Sequence, residues 1–185
     1  MPYFPLFVDL SGKDCLVVGG GRVATRKARA LLEFGAAVRA LDPRPSLSMR
    51  TVGCTLLARP YRNTADMAGA ALVIAATDRP ELNALVARHA RSAGIPVNVA
   101  DDPGGSTFFF PAVVRRGEFV TGISTAGLCP RFAARFREGL DAVLPEELGV
   151  WVEALGQERR CVSGVERIGR LDSIIDPLLR QIFVM

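Results

Sequence analysis

"CLVVGGGRVATRKARALLEFGAAVRALD", residues 15–42, decides the fold. It opens on a short apolar run, Cys15 to Val18, that ends in three glycines, Gly19 to Gly21, the shape of a buried parallel strand. Arg22 to Phe34 then reads as a helix, with Val23, Ala24, Ala28, Leu31 and Leu32 on its inner side and Gly35 as its stop. "AAVRALD" is a second strand, closed by Asp42 and Pro43. Strand, glycine turn, helix and strand make a βαβ unit, whose crossover is right-handed and whose sheet is parallel.

Working outward, "CTLLARP" is a weaker third strand, Ala65 to Ala68 a short helix, and "ALVIAATD" a strongly apolar fourth strand. Glu81 to Ser92 reads as a helix capped by Gly94, and "IPVNVAD" as a fifth strand. The expected fold is α/β, a Rossmann-like doubly wound parallel sheet over residues 1–112. Beyond it, "AVVRRGEFVTGIST" offers two extended stretches about a turn at Arg116 and Gly117, a hairpin rather than another crossover. "PRFAARFREGLDAVLP" follows as a helix with Phe132, Ala133, Phe136, Leu140 and Val143 on one face, completing a small α+β segment over 113–148. The tail, 149–185, reads as a short helical region broken by Gly149, Gly156, Gly164 and Gly169, with an apolar end, "SIIDPLLRQIFVM", too short for a core of its own.

With 185 residues, 49% of them hydrophobic, the chain is long enough to bury a core, which excludes disorder for most of it. No apolar run reaches the roughly 18 residues that span a bilayer, and "MPYFPLFVDL" lacks the marks of a signal peptide, so a cytoplasmic location without membrane attachment is expected. Cys15, Cys54, Cys129 and Cys161 are scattered without a CxxC pair, so they are expected to be reduced and mostly packed, with no zinc site or disulfide framework. His89, the only histidine, sits mid-helix in a surface or packing role, which argues against a histidine-based metal site. The net charge of +4 is carried by arginine, since Lys13 and Lys27 are the only lysines. Arginine's planar fork suits a small substrate rich in carboxylates, and no basic stripe interleaved with aromatics points to nucleic acid.

Gly19, Gly21 and Ala24 fit the GxGxxG/A pattern in the right context, directly after a strand and opening a helix. The first glycine permits the tight turn, the second lets the backbone approach a pyrophosphate, and the small third residue brings helix against strand. Asp42 lies about 20 residues on, where an acid accepts a ribose 2′-hydroxyl and repels a 2′-phosphate. NAD is therefore expected rather than NADP, a preference that Arg44 softens. Thr77 and Asp78 finish the fourth strand at the same edge and are candidates for cofactor contact, with Asp78 equally a helix N-cap. "NVADDPGGSTFFFPA" sets Asn98, Asp101 and Asp102 at the end of the fifth strand, where a carboxylate can serve as a general base, and the residues alone leave open which aspartate points inward. Phe108, Phe109 and Phe110 cannot all face one side of a strand, which frees one to line an apolar pocket.

"PLFVDLSGKDCLVVGGGRVATRKARALLEFGA", "ALVIAATDRPELN", "PVNVADDP", "TFFFPA" and "ISTAGLCPRFAARFRE" together resemble the precorrin-2 dehydrogenase module of siroheme synthases, from about Phe4 to about Leu148. The resemblance implies NAD-dependent oxidation of precorrin-2 to sirohydrochlorin, with insertion of Fe²⁺ as a second reaction in some members. It also implies a homodimer formed through 113–148 and a small helical C-terminal part. Carried over by position, cofactor contacts fall on Arg22, Val23, Pro43 and Arg44, and the catalytic aspartate on Asp101. Substrate contacts fall on Asn98, Ser124, Thr125 and Arg131, and any iron would be held transiently as substrate, by the macrocycle nitrogens and Asp101. Where some relatives carry Ser-Ser-Gly-Gly, with the second serine in the active site, this chain has Ser124, Thr125, Ala126 and Gly127, so Thr125 keeps the hydroxyl and adds a methyl. Arg115, Arg116, Arg131 and Arg135 are candidate clamps for the substrate's carboxylates. A non-catalytic NAD-sensing module would share the glycine turn but has no need of the Asp101 motif.

Overall fold

In the computed structural model, which describes residues 4–161, 163 and 166–182, Cys15–Val18 are at most 1% exposed. They belong to β1 (Asp14–Val18), which is buried because it is paired on both edges. β2 (Ala37–Leu41) lies on one side and β4 (Leu72–Ala75) on the other, with β3 (Thr55–Leu57) beyond β2 and β5 (Val97–Val99) beyond β4. All pairs in the order β3-β2-β1-β4-β5 are parallel. The register sets Val18 level with Leu41 and Ala75, and Ala75 level with Val99. The residues that follow these four therefore leave the sheet at one carboxyl edge, where open α/β sheets bind ligands.

α1 (Arg22–Glu33) and α3 (Pro80–Ser92) are the long helices of this sheet's crossovers. On α1 the buried positions are Ala24, Thr25, Ala28 and Leu31, while Leu32, expected on the inner side, is half-exposed. Thr25 tolerates burial because its hydroxyl donates to the Gly21 carbonyl at 2.9 Å, which hides its polar group inside the helix start. α2 (Leu47–Arg50) was not legible as a helix; Ser46 caps it by accepting from the Met49 amide at 3.2 Å. Leu16, Val18, Leu41, Val73 and Val97 meet Val86 and Ala90 of α3 in the core, each large side chain contributing roughly 1.5–3 kcal/mol by burial. Truncation of Leu16 to alanine there costs about 2–5 kcal/mol. His89 hydrogen-bonds the buried Tyr61 hydroxyl through Nδ1 at 2.8 Å, a packing role as expected.

The chain divides into two compact units, Leu6–Phe109 and a second that joins Phe4 and Pro5 to the chain from Phe110 onward. In the second, β6 (Ala112–Arg116) and β7 (Phe119–Ile123) pair antiparallel with Arg116 opposite Phe119, so the turn is Gly117 and Glu118 rather than Arg116 and Gly117. Gly117 supplies the positive φ of 56° that this turn needs. α4 (Pro130–Val143), α5 (Leu148–Cys161) and α6 (Glu166–Ile182) complete the unit. The expected breaks do not occur: α5 runs through Gly149 and Gly156, and α6 through Gly169, while Gly164 and residues 183–185 lie outside the described residues. Gly149 is a packing residue, since a Cβ there would stand 2.7 Å from the Arg116 carbonyl oxygen. The tail forms no core of its own but packs on that of the preceding segment, Trp151 and Ile182 lying against the buried Val114, Leu144 and Leu148.

Only part of the expected apolar face of α4 is covered. Ala133 is buried and Leu140 packs on the core, but Phe132, Phe136 and Val143 are 57%, 53% and 56% exposed, the two phenylalanine rings stacking at 6.0 Å. Cys15 is buried, its thiol pushed up to about 11 by burial, yet Cys129 and Cys161 are exposed rather than packed. No described helix is long and apolar enough to cross a membrane.

Candidate active site

The turn after β1 is built by three glycines with different work. Gly19 donates its amide to the Leu41 carbonyl at 2.9 Å and adopts φ 124°, and a Cβ on it would lie 2.3 Å from the Ala76 carbonyl oxygen. Gly20, which the glycine pattern passes over, is equally constrained: its Cβ would stand 2.8 Å from Asp42 Cβ and from Pro45 Cα. Gly21 is different, because nothing lies within 4 Å of its Cβ position. Gly21 is also the N-cap of α1, with no side-chain cap and no acidic residue in the first turn. The amides that open α1, at Arg22 and Val23, therefore carry no competing side-chain anion, and the bare face of Gly21 leaves room for a diphosphate against the backbone. Ala24, fully buried, brings the helix onto the sheet.

Asp42 leaves β2 beside this turn, half-buried, with Oδ1 accepting the Arg44 amide at 2.7 Å. That bond fixes the carboxylate at the strand end, and Pro43 and Arg44 next to it are exposed. Thr77 is also at the edge, but its hydroxyl is engaged in starting α3: it donates to Asn83 Oδ1 at 2.7 Å and accepts from the Arg79 amide at 3.2 Å. The N-cap position of α3 is Arg79, so Asp78 does not cap the helix and stands exposed.

At the end of β5 the adjacent aspartates separate. Asp102 stabilises its own loop, Oδ1 accepting the Gly105 amide at 2.9 Å. Asp101 is exposed and holds φ 58°, a left-handed conformation that aspartate adopts at some cost. Asn98, expected among the substrate contacts, is turned inward and only 4% exposed. Both ends of its amide are occupied: Oδ1 accepts from Lys27 Nζ at 2.8 Å and Nδ2 donates to the Phe108 carbonyl at 2.9 Å. Lys27 comes from α1, and burial, with help from Arg26, pushes its ammonium down to about 8, while Asp101 pulls it back up. Lys27 was not singled out in the sequence. Its signal there was its chemistry, one of two lysines in a chain whose cations are otherwise arginine.

In the second unit, Ser124 and Thr125 sit in the loop between β7 and α4. Ser124 Oγ accepts the Ala126 amide at 3.1 Å, and Thr125 Oγ1 accepts the Cys129 amide at 3.2 Å, so each hydroxyl keeps its proton free to donate. Arg131 is exposed in the first turn of α4. Arg116 is no substrate clamp: its guanidinium, 11% exposed, donates to Asp141 Oδ1 at 3.0 Å and to the Asp141 carbonyl at 3.0 Å. Arg135 pairs with Glu138 on the surface, and Arg115 Nε donates to the Gly117 carbonyl at 3.0 Å. Among the described residues no group of three or more His, Cys, Asp or Glu side chains is arranged to hold a metal ion. Gly19, Gly21, Arg22, Val23, Asp42 and Asp101 thus share one sheet edge, whereas Ser124, Thr125 and Arg131 belong to the other unit.

A parallel sheet with an open glycine turn, an uncapped helix start and an acid closing the next strand defines a dinucleotide-binding α/β protein. The chain belongs to the family whose model is described as "Putative NAD(P)-binding", which matches residues 6–112. Relatives include a siroheme synthase of Pseudomonas entomophila, 44% identical over 153 residues, covering 80% of this chain and 33% of the relative. A siroheme synthase of Aeromonas salmonicida is 44% identical over the same length, with 80% of this chain and 32% of the relative covered. The chain spans about a third of the length of these curated relatives. Among solved structures, SirC, a precorrin-2 dehydrogenase, superposes with a TM-score of 0.73 at 25% identity, covering 94% of this chain and 89% of that one.

Proposed function

We propose that this protein catalyses the NAD-dependent oxidation of precorrin-2 to sirohydrochlorin. The observation that carries the reading is Asp101, an exposed carboxylate held at φ 58° on the same sheet edge as the open glycine turn. Strained aspartates of this kind occur where a side chain is aimed at a reaction. The similarity to SirC over nearly the whole chain, and to siroheme synthases over four-fifths of it, supplies the substrate class.

In this reading Gly19, Gly21, Arg22 and Val23 hold the diphosphate, Asp42 with Pro43 and Arg44 receives the adenosine ribose, and Thr77 packs beside them. Asp42 favours NAD because its carboxylate repels a 2′-phosphate. When bound, the nicotinamide supplies the hydride acceptor. Asp101 takes the proton that the macrocycle loses, so the substrate gives up two electrons and two protons' worth of hydrogen in all. Ser124 and Thr125 donate to the tetrapyrrole and Arg131 pairs with one of its carboxylates.

The protein acts in the cytoplasm as a homodimer built on 113–148, a reading supported by the exposed phenylalanine pair of α4. The test is turnover of precorrin-2 with NAD⁺ by wild type and Asp101→Asn, with NADH affinity measured on both. Wild-type turnover that the variant loses, at equal NADH affinity, is expected. Absence of wild-type turnover overturns the activity, and an unimpaired variant overturns the role of Asp101.

A further inference from the structure

The side chain that links the two halves of the sheet-edge site is Lys27. It projects from α1, the helix whose N-terminus faces the glycine turn, and its ammonium donates to Asn98 Oδ1 at 2.8 Å. Asn98 passes the connection on, Nδ2 donating to the Phe108 carbonyl at 2.9 Å. Asn98 and Phe108 are the two ends of the excursion that carries Asp101, so a single lysine braces both. The excursion is also tied by the Thr107 amide to the Val97 carbonyl at 2.7 Å, by the Val99 amide to Ser106 Oγ at 2.9 Å, by the Gly105 amide to Asp102 Oδ1 at 2.9 Å and by Arg91 to the Gly104 carbonyl at 2.8 Å. None of these four bonds is made by Asp101 itself, which holds φ 58°. A conformation of that kind persists only where surrounding structure holds it.

We infer that Lys27 is a positioning residue, bracing the Asp101 loop from the cofactor helix through Asn98. The inference rests on the assignment of Asp101 to the oxidation of precorrin-2. The charged groups that act on Lys27 are Arg26 on α1 and Asp101 at the end of β5, and Asp101 is the one that stabilises its protonated form. A brace that loses its proton near pH 8 keeps the hydrogen bond to Asn98 and loses the charge.

The experiment compares wild type, Lys27→Met and Lys27→Arg, with Lys27→Gln used if the methionine variant does not fold. Amide hydrogen exchange on the full chain, without precorrin-2, is expected to speed up by about fivefold or more at Ala100, Gly105 and Thr107 in Lys27→Met and to stay unchanged in β1. In turnover, kcat of Lys27→Met falls on the order of 10- to 100-fold, while KM for NAD⁺ and the affinity for NADH stay within about twofold. Lys27→Arg recovers most of kcat, because a guanidinium keeps a charged donor on this face of α1. Unchanged loop exchange in Lys27→Met overturns the inference, as does a loss of NADH affinity that matches the loss of kcat. If the wild type turns over no precorrin-2, the proposed reaction is what fails, and the exchange data still decide whether Lys27 braces the loop.

Discussion

Gly19 and Gly21, with one residue between them, should respond to alanine in different ways. At Gly19 the added Cβ would lie 2.3 Å from the Ala76 carbonyl oxygen, against about 3.5 Å for an ordinary contact. Displacing the end of β4 costs about 1–3 kcal/mol, and forcing alanine to φ 124° adds about 1–3 kcal/mol. For a chain of this size each kcal/mol is worth about 2–4 °C, so Gly19→Ala should melt roughly 10 °C below wild type. At Gly21 the backbone is extended, φ −83°, and the Cβ meets nothing within 4 Å. Gly21→Ala should therefore melt within about 3 °C of wild type, because the reduced freedom of the unfolded chain offsets alanine's poorer fit at a helix N-cap. Its methyl, however, occupies the face offered to the diphosphate, so NADH affinity should fall about tenfold or more, roughly 1.4 kcal/mol. Thermal melting and NADH fluorescence titration on the same samples read both effects. A Gly21→Ala protein that binds NADH as tightly as wild type would refute the placement of the diphosphate.

Further outcomes follow from the same contacts. Asp102→Ala removes the acceptor of the Gly105 amide, which should lower stability by about 1 kcal/mol in urea titration and leave precorrin-2 turnover largely intact. Arg116→Ala strips the guanidinium from Asp141 and from the Asp141 carbonyl, and since Asp141 is 41% exposed the expected loss is about 2 kcal/mol, with Tm falling while NADH affinity stays unchanged. Lys27 is pushed down to about 8 in the folded protein from 10.5, so between those values the unfolded chain carries the extra proton and stability rises with pH. Cys15 and Tyr61, raised to about 11 and about 12, act in the opposite sense as pH increases. The informative quantity is therefore the urea midpoint of wild type minus that of Lys27→Met, which should increase between pH 8 and pH 10.

The parallel sheet was readable because its signals are local: apolar runs of four or five residues, a glycine turn, and helices that stop at Gly35 and Gly94. The register then brings Gly19, Asp42 and Asp101 to one edge, as the strand ends in the sequence imply. What escaped depends on contacts between distant residues. Gly149 looks like a helix breaker until the Arg116 carbonyl is placed against it, and the bonds of the Asn98 amide to Lys27 and the Phe108 carbonyl join residues 71 and 10 positions away. Thr77 and Asp78 show the same limit on a smaller scale, because the start of α3 is settled by Asn83, six residues beyond Thr77. Gly20 falls outside the GxGxxG pattern, since its constraint comes from Asp42 and Pro45 rather than from a ligand.

The central claim is a two-electron oxidation that needs both the glycine turn and Asp101. Its most direct measurement is the stoichiometry of NADH to sirohydrochlorin formed from precorrin-2 by the purified full chain, run in parallel on Asp101→Asn. The account requires one NADH per sirohydrochlorin from the wild type and loss of both products together in the variant, with NADH still bound. Sirohydrochlorin formed without NADH, or formed equally by Asp101→Asn, would contradict it.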